Sequence, residues 1–322
     1  MKLVPCLCAA VFFAGGAAAA DTNGIVKYDL GPDSLPQAGV PRGKLEGPLL
    51  FHSQIFSNTT REYWIYAPAQ YDGTSPACLL VFQDGQRATA PKGSLRVPQV
   101  MENLIAKKEM PVTIGLLITP GQRGDTYPAE GTHDPNDRSF EYDSLTDRYS
   151  RFLIDEMIPE VEKRYRITSD PAGRAIGGTS SGAICAFTVA WQRPDQFRKV
   201  ISCIGSYTSI AYRPATNGEP MIPGGDLYPT LIRKSAIRPI RIFLQDGSHD
   251  LDNIHGNWFL ANQQMLSALN FANTEAERRQ EGGPRYEVNH VWGEGSHSDN
   301  HGGAILPDML RWLWKDYHPT GS

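Results

Sequence analysis

Residues 174–187 read RAIGGTSSGAICAF. Residues 174–178 have the apolar character of a short strand, and residues 181–192 that of a helix rich in small side chains. Between them, Gly178-Thr179-Ser180-Ser181-Gly182 matches G-x-S-x-G. A serine on so tight a strand-to-helix turn is held in strained backbone geometry. Its neighbours must be small, because the helix and the adjacent strand crowd the turn. Such a turn lifts the Ser180 hydroxyl into a cleft. It also aims the Ser181 N–H and the helix N-terminus at a developing oxyanion. Ser181 is the competing register, but Thr179-Ser181-Ala183 lacks the flanking glycines.

Working outward, residues 78–82 (CLLVF) and 112–118 (VTIGLLI) are continuous apolar runs, which suit strands buried on both faces. Further strands are expected at 199–204, 240–244 and 286–292. Helical periodicity covers 143–165, where Tyr149, Leu153, Met157, Ile158 and Val161 recur at three- and four-residue steps. Helices are also expected at 255–269 and 303–314. This alternation predicts an α/β fold with a mostly parallel central sheet and helices on both faces. Residues 52–56 and 61–67 read as an opening hairpin that adds antiparallel edge strands. Gly/Pro-rich stretches at 121–138 and 206–229 are long enough to line a site. The second carries Pro214, Pro220 and Pro223 and is expected near the substrate entrance.

The chain has 322 residues, 40% of them hydrophobic, with a net charge of −4. No basic run exceeds Arg278-Arg279, which argues against a nucleic-acid partner. Met1-Lys2, an apolar stretch to Phe13 and Ala18-Ala19-Ala20 form a secretory signal peptide over residues 1–20. Cleavage after Ala20 is expected, giving a secreted or periplasmic protein. Residues 21–46 read as an extended N-terminal arm and 47–322 as one domain. Downstream of the leader no run of about 18 apolar residues occurs, so no membrane span or membrane partner is expected. Cys78, Cys185 and Cys203 remain, too few for a disulfide framework. Buried free thiols are the simpler expectation, with Cys185–Cys203 the pair to check.

A serine hydroxyl needs a base, and the base needs a carboxylate to orient it. In a strand–turn–helix context the expected chain order is serine, acid, histidine. After residues 240–244 comes QDGSHDLD, which offers Asp246, Asp250 and Asp252. Asp246 sits closest to the strand end. Asp252 is placed to cap the next helix. Asp250, three residues past Gly247, is the favoured acid, with Asp252 as its alternate. After the last strand comes GEGSHSDNHGG. His297, flanked by small residues, is the favoured base, and His301 the alternate. Gln83-Asp84-Gly85-Gln86 ends the first buried strand, where this topology draws a second oxyanion N–H from Gly85 or Gln86. The acids and histidines of 246–255 lack any metalloenzyme spacing, so neither a catalytic metal nor a cofactor is expected, and a structural calcium on this acidic loop is left open.

These stretches resemble one family of α/β-hydrolases. It includes enterochelin esterases, feruloyl and acetylxylan esterases of carbohydrate esterase family 1, esterase D and the mycolyltransferases. The likeness runs over about residues 47–316, through VFQDGQ (81–86), EYDSLTDRYSRFLIDEMIPEVEKRYRI (141–167), the serine turn, IRIFLQDGSHDLDN (240–253) and GEGSHSDNHGGAILPDMLRWLW (293–314). It implies the α/β-hydrolase fold, Ser180 as nucleophile, Asp250 as acid and His297 as base. It also implies oxyanion N–H groups from Ser181 and the Gly85-Gln86 corner. The reading that follows is a secreted serine esterase without a cofactor, acting on small-molecule or carbohydrate esters. Sugar or phenolic-acid esters are favoured, with Tyr127, Tyr207, Tyr212, Tyr228 and Trp258 as candidate stacking groups. A lactonase or siderophore esterase and an acyltransferase share the same triad. A carbohydrate-binding protein on this scaffold would have no need of the full set. The oligomeric state is left open.

Overall fold

The computed structural model describes residues 19–20, 26–129 and 132–318. The leader expected over 1–20 lies outside the described residues except for Ala19–Ala20. Eight main strands are β1 (Lys44–Ser53), β2 (Thr59–Ala67), β3 (Cys78–Gln83), β4 (Thr113–Ile118), β5 (Arg174–Thr179), β6 (Lys199–Cys203), β7 (Arg241–His249) and β8 (Glu287–Ser296). Their order across the sheet is β8-β7-β6-β5-β3-β4-β2-β1, with short Gln122–Arg123 added alongside β2. All neighbours from β4 to β8 are parallel; β1, β2 and the β2–β4 contact are antiparallel. This is the mostly parallel sheet that the apolar runs predict.

Alternation along β3 shows why the sheet needs cover on both sides. Leu79 and Val81 enter one core, while Cys78, Leu80 and Phe82 enter the other. The helices are α1 (Gly85–Thr89), α2 (Val97–Ala106), α3 (Pro135–Tyr142), the helical run α4 over residues 148–162, α5 (Ser181–Gln192), α6 (Tyr228–Lys234), α7 (Trp258–Arg278) and α8 (Asp299–Trp314). The first core takes α4 to α7, with Phe152, Phe187, Tyr228 and Leu269 fully buried. The second takes α2 and α8, with Met101, Leu104, Leu310 and Leu313.

Several boundaries differ from the sequence reading, each for a local reason. The first strand starts at Lys44, not at His52, and contains Gly47-Pro48. As the outermost strand it tolerates a proline that reads as a breaker. The arm expected over 21–46 therefore ends inside β1. From Pro32 it lies along α2: Asn103 Nδ2 donates to the Asp33 and Leu35 carbonyls, at 2.8 and 2.9 Å. Asp33 also pairs with Lys107 and, on α8, Arg311. The helix expected from residue 143 begins only at Arg148, because Ser144 Oγ takes the Thr146 N–H and makes a turn after α3. Strands β7 and β8 run several residues further than expected, and α7 starts at Trp258.

One buried ion pair ties the Gly/Pro-rich stretch 121–138 to the sheet. Arg61 on β2 and Glu141 on α3 meet through two bonds of 2.8 and 2.9 Å, and both side chains are buried. Glu141 Oε2 also accepts the Gly121 N–H at 3.1 Å. Removing one partner strands the other charge in the interior. Glu141→Gln should cost about 3–5 kcal/mol of stability, read from urea melts. A loss under about 1 kcal/mol would show that Arg61 finds water instead.

Candidate active site

The site forms where β3, β5, β7 and β8 end, at the carboxyl edge of the parallel sheet, where ligands bind in open α/β sheets. Ser180 lies between β5 and α5 with φ 58° and ψ −124°. Such a conformation costs a non-glycine residue about 1–3 kcal/mol and persists only when its surroundings fix it. Here they do. The Ser180 N–H donates to the Cys203 carbonyl at 2.9 Å, and its carbonyl accepts from Ala183, Ile184 and Ser206. A Cβ on Gly178 would sit 2.5 Å from the Gly182 carbonyl carbon, and one on Gly182 would sit 2.9 Å from Gln83 Cβ. The crowding that demands small residues is thus visible on both sides of the turn.

Strands β7 and β8 deliver Asp250 and His297 together. Their pairing continues to His249 opposite Ser296 after an irregularity at Gly247. A Cβ on Gly247 would run into the Gly295 backbone. His249 Nδ1 donates to the Glu294 carbonyl at 2.7 Å. Beyond this clasp, His297 Nδ1 donates to Asp250 Oδ1 at 2.5 Å, and the Ser180 hydroxyl donates to His297 Nε2 at 2.8 Å. The structure therefore brings Ser180, His297 and Asp250 into one hydrogen-bonded chain.

The alternates stand elsewhere. Asp252 is exposed and pairs its backbone with Asn257, which is the residue that caps α7 through its side chain. His301 is buried in α8, stacked on Tyr28 with centroids 4.0 Å apart and bonded to Gln245 at 3.0 Å. Burial pushes its imidazole down to about 4. Asp246, the acid closest to the expected strand end, is fully buried within β7. Of the candidate stacking aromatics, Tyr207, Tyr228 and Trp258 are core residues, leaving half-buried Tyr127 and exposed Tyr212. Cys78, Cys185 and Cys203 are buried free thiols.

The Gln83-Asp84-Gly85-Gln86 corner packs on the elbow, Asp84 Oδ2 lying 3.2 Å from a notional Gly182 Cβ. Asp84 adopts a left-handed conformation, φ 56° and ψ 55°, and turns the chain into α1. The Gly85 and Gln86 N–H groups open that turn, as those of Ser181 and Gly182 open α5, and neither pair has an intrahelical acceptor. Gly85 has no alternative, because a Cβ would sit 2.7 Å from the Leu117 carbonyl carbon. Two arginines fix this corner. Arg138 grips Asp84 through bonds of 2.9 and 2.7 Å and reaches the Thr179 carbonyl at 3.3 Å. Arg87 reaches Asp299 and Thr179 Oγ1 at 2.5 and 3.1 Å. Burial alone would raise the Asp84 carboxyl, but Arg138 and Arg87 outweigh it and hold it below its ordinary value. Sequence reasoning missed this clamp, because its members lie far apart in the chain.

A second carboxyl backs the acid. Asp250 Oδ2 is buried and receives no amide, amine or hydroxyl donor among the described residues. The group beside it is Asp246, whose oxygens accept from the Gly247 N–H at 2.7 Å and Asn262 Nδ2 at 2.6 Å. Burial, then the Asp250 carboxylate, push the Asp246 carboxyl far above the carboxylate range. A proton kept on Asp246 would supply the donor that Asp250 Oδ2 lacks. The folded state keeps a proton that the unfolded chain has lost, so stability falls as pH rises from about 4 toward the raised value. One such proton contributes a slope of about 1.4 kcal/mol per pH unit. Asp246→Asn should remove that slope between about pH 5 and 8, measured by urea melts across the range. An unchanged slope would show that Asp246 is ionised.

A sequence model of the family described as "Putative esterase" matches residues 53–313. The uncharacterized protein YbbA of Bacillus subtilis (strain 168) is 25% identical over 150 residues, 46% of this chain and 57% of that protein. The enterobactin esterase FES from Shigella flexneri, solved in the presence of enterobactin, superposes with a TM-score of 0.63 at 20% identity, covering 87% of this chain and 60% of that one. The CE1 ferulic acid esterase AmCE1/Fae1A of Anaeromyces mucronatus gives 0.58 at 17%, covering 88% and 97%. At these identities the likeness to the solved structures is one of fold. The chain spans less than two thirds of the length of YbbA and of the Shigella enzyme. The family match begins at the end of β1 and runs into α8, across strands β2 to β8 of the sheet that holds Ser180, and the chain therefore belongs to this esterase family.

Proposed function

We propose that the chain is a serine carboxylesterase. The observation that carries this reading is the continuous chain from Ser180 Oγ to His297 Nε2 (2.8 Å) and from His297 Nδ1 to Asp250 Oδ1 (2.5 Å) at the sheet's carboxyl edge. Ser180 Oγ attacks the ester carbonyl while its proton passes to His297 Nε2. Asp250 holds the tautomer that leaves Nε2 free and stabilises the imidazolium. The Ser181 N–H and the Gly85-Gln86 corner receive the oxyanion. Collapse expels the alcohol, which takes the proton from His297, and leaves Ser180 acylated. Water, activated by His297, then releases the carboxylic acid and restores the serine.

Substrates with an apolar or aromatic acyl part fit best, phenolic-acid and sugar esters foremost. The stretches that follow Ser206 and Asp250 expose Tyr212, Met221, Ile222, Leu251 and Ile254, and they are tied together by Ser209, which donates to the His255 carbonyl. A ferulic acid esterase among the similar structures points the same way. A second reading, hydrolysis of a siderophore ester, draws support from the fold shared with the enterobactin esterase. The leader over residues 1–20 goes with export to the periplasm or the medium.

The test is a panel of p-nitrophenyl esters from acetate to octanoate, a ferulate ester and enterobactin, run on wild type and Ser180→Ala. Wild type should hydrolyse at least one, and the variant should lose about a thousandfold or more. Preference for ferulate or longer chains supports the apolar acyl site, and preference for enterobactin supports the second reading. An active Ser180→Ala would remove the serine mechanism.

A further inference from the structure

We infer that Ser206 is a positioning residue for the nucleophile, donating a hydrogen bond to Ser180 Oγ, and that Trp258 sets the direction of that bond. The inference rests on the serine-esterase reading above.

Ser206 Oγ lies 3.1 Å from Ser180 Oγ and 3.1 Å from Trp258 Nε1. An indole N–H only donates, so Ser206 Oγ accepts from Trp258. Its own proton then has one partner among the described residues, Ser180 Oγ. Ser206 is 1% exposed, so bulk water does not compete. The opposite arrangement, Ser180 donating to Ser206, would deprive His297 Nε2 of its donor and leave the Ser206 proton without an acceptor. Only one direction satisfies every group. The chain runs Trp258 N–H, Ser206 O–H, Ser180 O–H, His297, Asp250.

The scaffold holds Ser206 as firmly as it holds Ser180. The Ser206 N–H donates to the Ser180 carbonyl at 3.2 Å. The preceding Gly205 carbonyl accepts from Asn262 Nδ2 at 2.9 Å, and the following Tyr207 is anchored through its hydroxyl to Ser202 at 2.8 Å. Trp258 also sets its ring edge-on to His297, with centroids 5.7 Å apart. One indole thus contacts both Ser206 and His297.

The chemistry says where the effect falls. As Ser180 gives its proton to His297, negative charge grows on Oγ, and a donor already aimed at it gains strength in the transition state. The same donor assists when Oγ leaves during deacylation. An interaction stronger in the transition state than in the ground state changes kcat and leaves KM nearly alone.

The experiment uses the full chain and the best p-nitrophenyl ester for wild type, Ser180→Ala, Ser206→Ala, Trp258→Phe and Ser206→Ala/Trp258→Phe. Folded sites are counted by thermal melt and, for the variants that retain Ser180, by fluorophosphonate titration. Ser206→Ala should lower kcat about tenfold or more with KM within about twofold. Trp258→Phe should lower kcat less, and the double variant should fall no further than Ser206→Ala alone, because Trp258 acts through Ser206. If Ser206→Ala fails to fold, the kcat-against-KM split in Trp258→Phe decides. A kcat within twofold of wild type in Ser206→Ala, a change carried by KM, or additive losses in the double variant would overturn the assignment. An active Ser180→Ala overturns the serine reading instead. An inactive Ser180→Ala beside a fully active Ser206→Ala overturns only the role of Ser206.

Discussion

The backbone of Ser180 is held where side chains rarely go, and the surrounding architecture is what keeps it there. At φ 58° and ψ −124° the residue stores about 1–3 kcal/mol of strain. Left to itself the turn would relax and drop the hydroxyl out of the cleft. It cannot, because its N–H is bound to the end of β6, its carbonyl is shared by α5 and Ser206, and its glycine neighbours are pressed against each other and against β3. Parallel pairing of β3, β5 and β6 is therefore a condition of the nucleophile's geometry as well as of the core.

The same economy governs the corner beside it. Asp84, Arg138, Arg87 and Asp299 come from β3's end, α3, α1 and α8, and their charges sum to zero. Asp84 is the buried member, and a buried charge is costly unless it is paired and bonded. Here the planar forks of two arginines meet two carboxylates and spend spare donors on Thr179, the residue before the nucleophile. The clamp fixes the Gly85-Gln86 N–H groups relative to the elbow. Because Arg138 closes the 121–138 stretch, the clamp also ties that stretch to the elbow.

What the sequence discloses and what it hides follow from range. The elbow is legible because its requirements are local: small residues, an apolar strand before, a helix after. The meeting of Asp250 and His297 is legible because both lie on short loops past strands whose apolar runs stand out. Asp246 is hidden because a buried carboxyl reads as a turn residue, and its contacts with Asn262 on α7 and with Asp250 are displayed by no local pattern. Asp252 misleads for the opposite reason: it has the chemistry of a helix cap, but Asn257 stands one residue before the helix. Ser206 leaves only a weak trace, its position directly after a parallel strand. Its bond to Trp258 joins two segments separated by the whole of β7. The arm is hidden because its anchors, Asn103 and Arg311, belong to helices that its own residues do not announce.

The clasp of Gly247 on Gly295 joins these strands of argument. Parallel neighbours lie about 4.8 Å apart while they share hydrogen bonds, and normally diverge into separate loops once pairing ends. Here pairing persists past the irregularity at Gly247, with His249 opposite Ser296 and bonded to the Glu294 carbonyl. Any side chain at Gly247 would push the two backbones apart at the point from which both loops spring. The distance between Asp250 and His297 is thus set before either side chain is placed, by two residues that have none. Asp246 then lies beside Asp250, and Trp258 sets its ring edge-on to His297. A hydrogen bond of 2.5 Å between groups on different loops needs that degree of backbone control, because a separation of one ångström more would leave a buried carboxylate facing a ring it cannot orient.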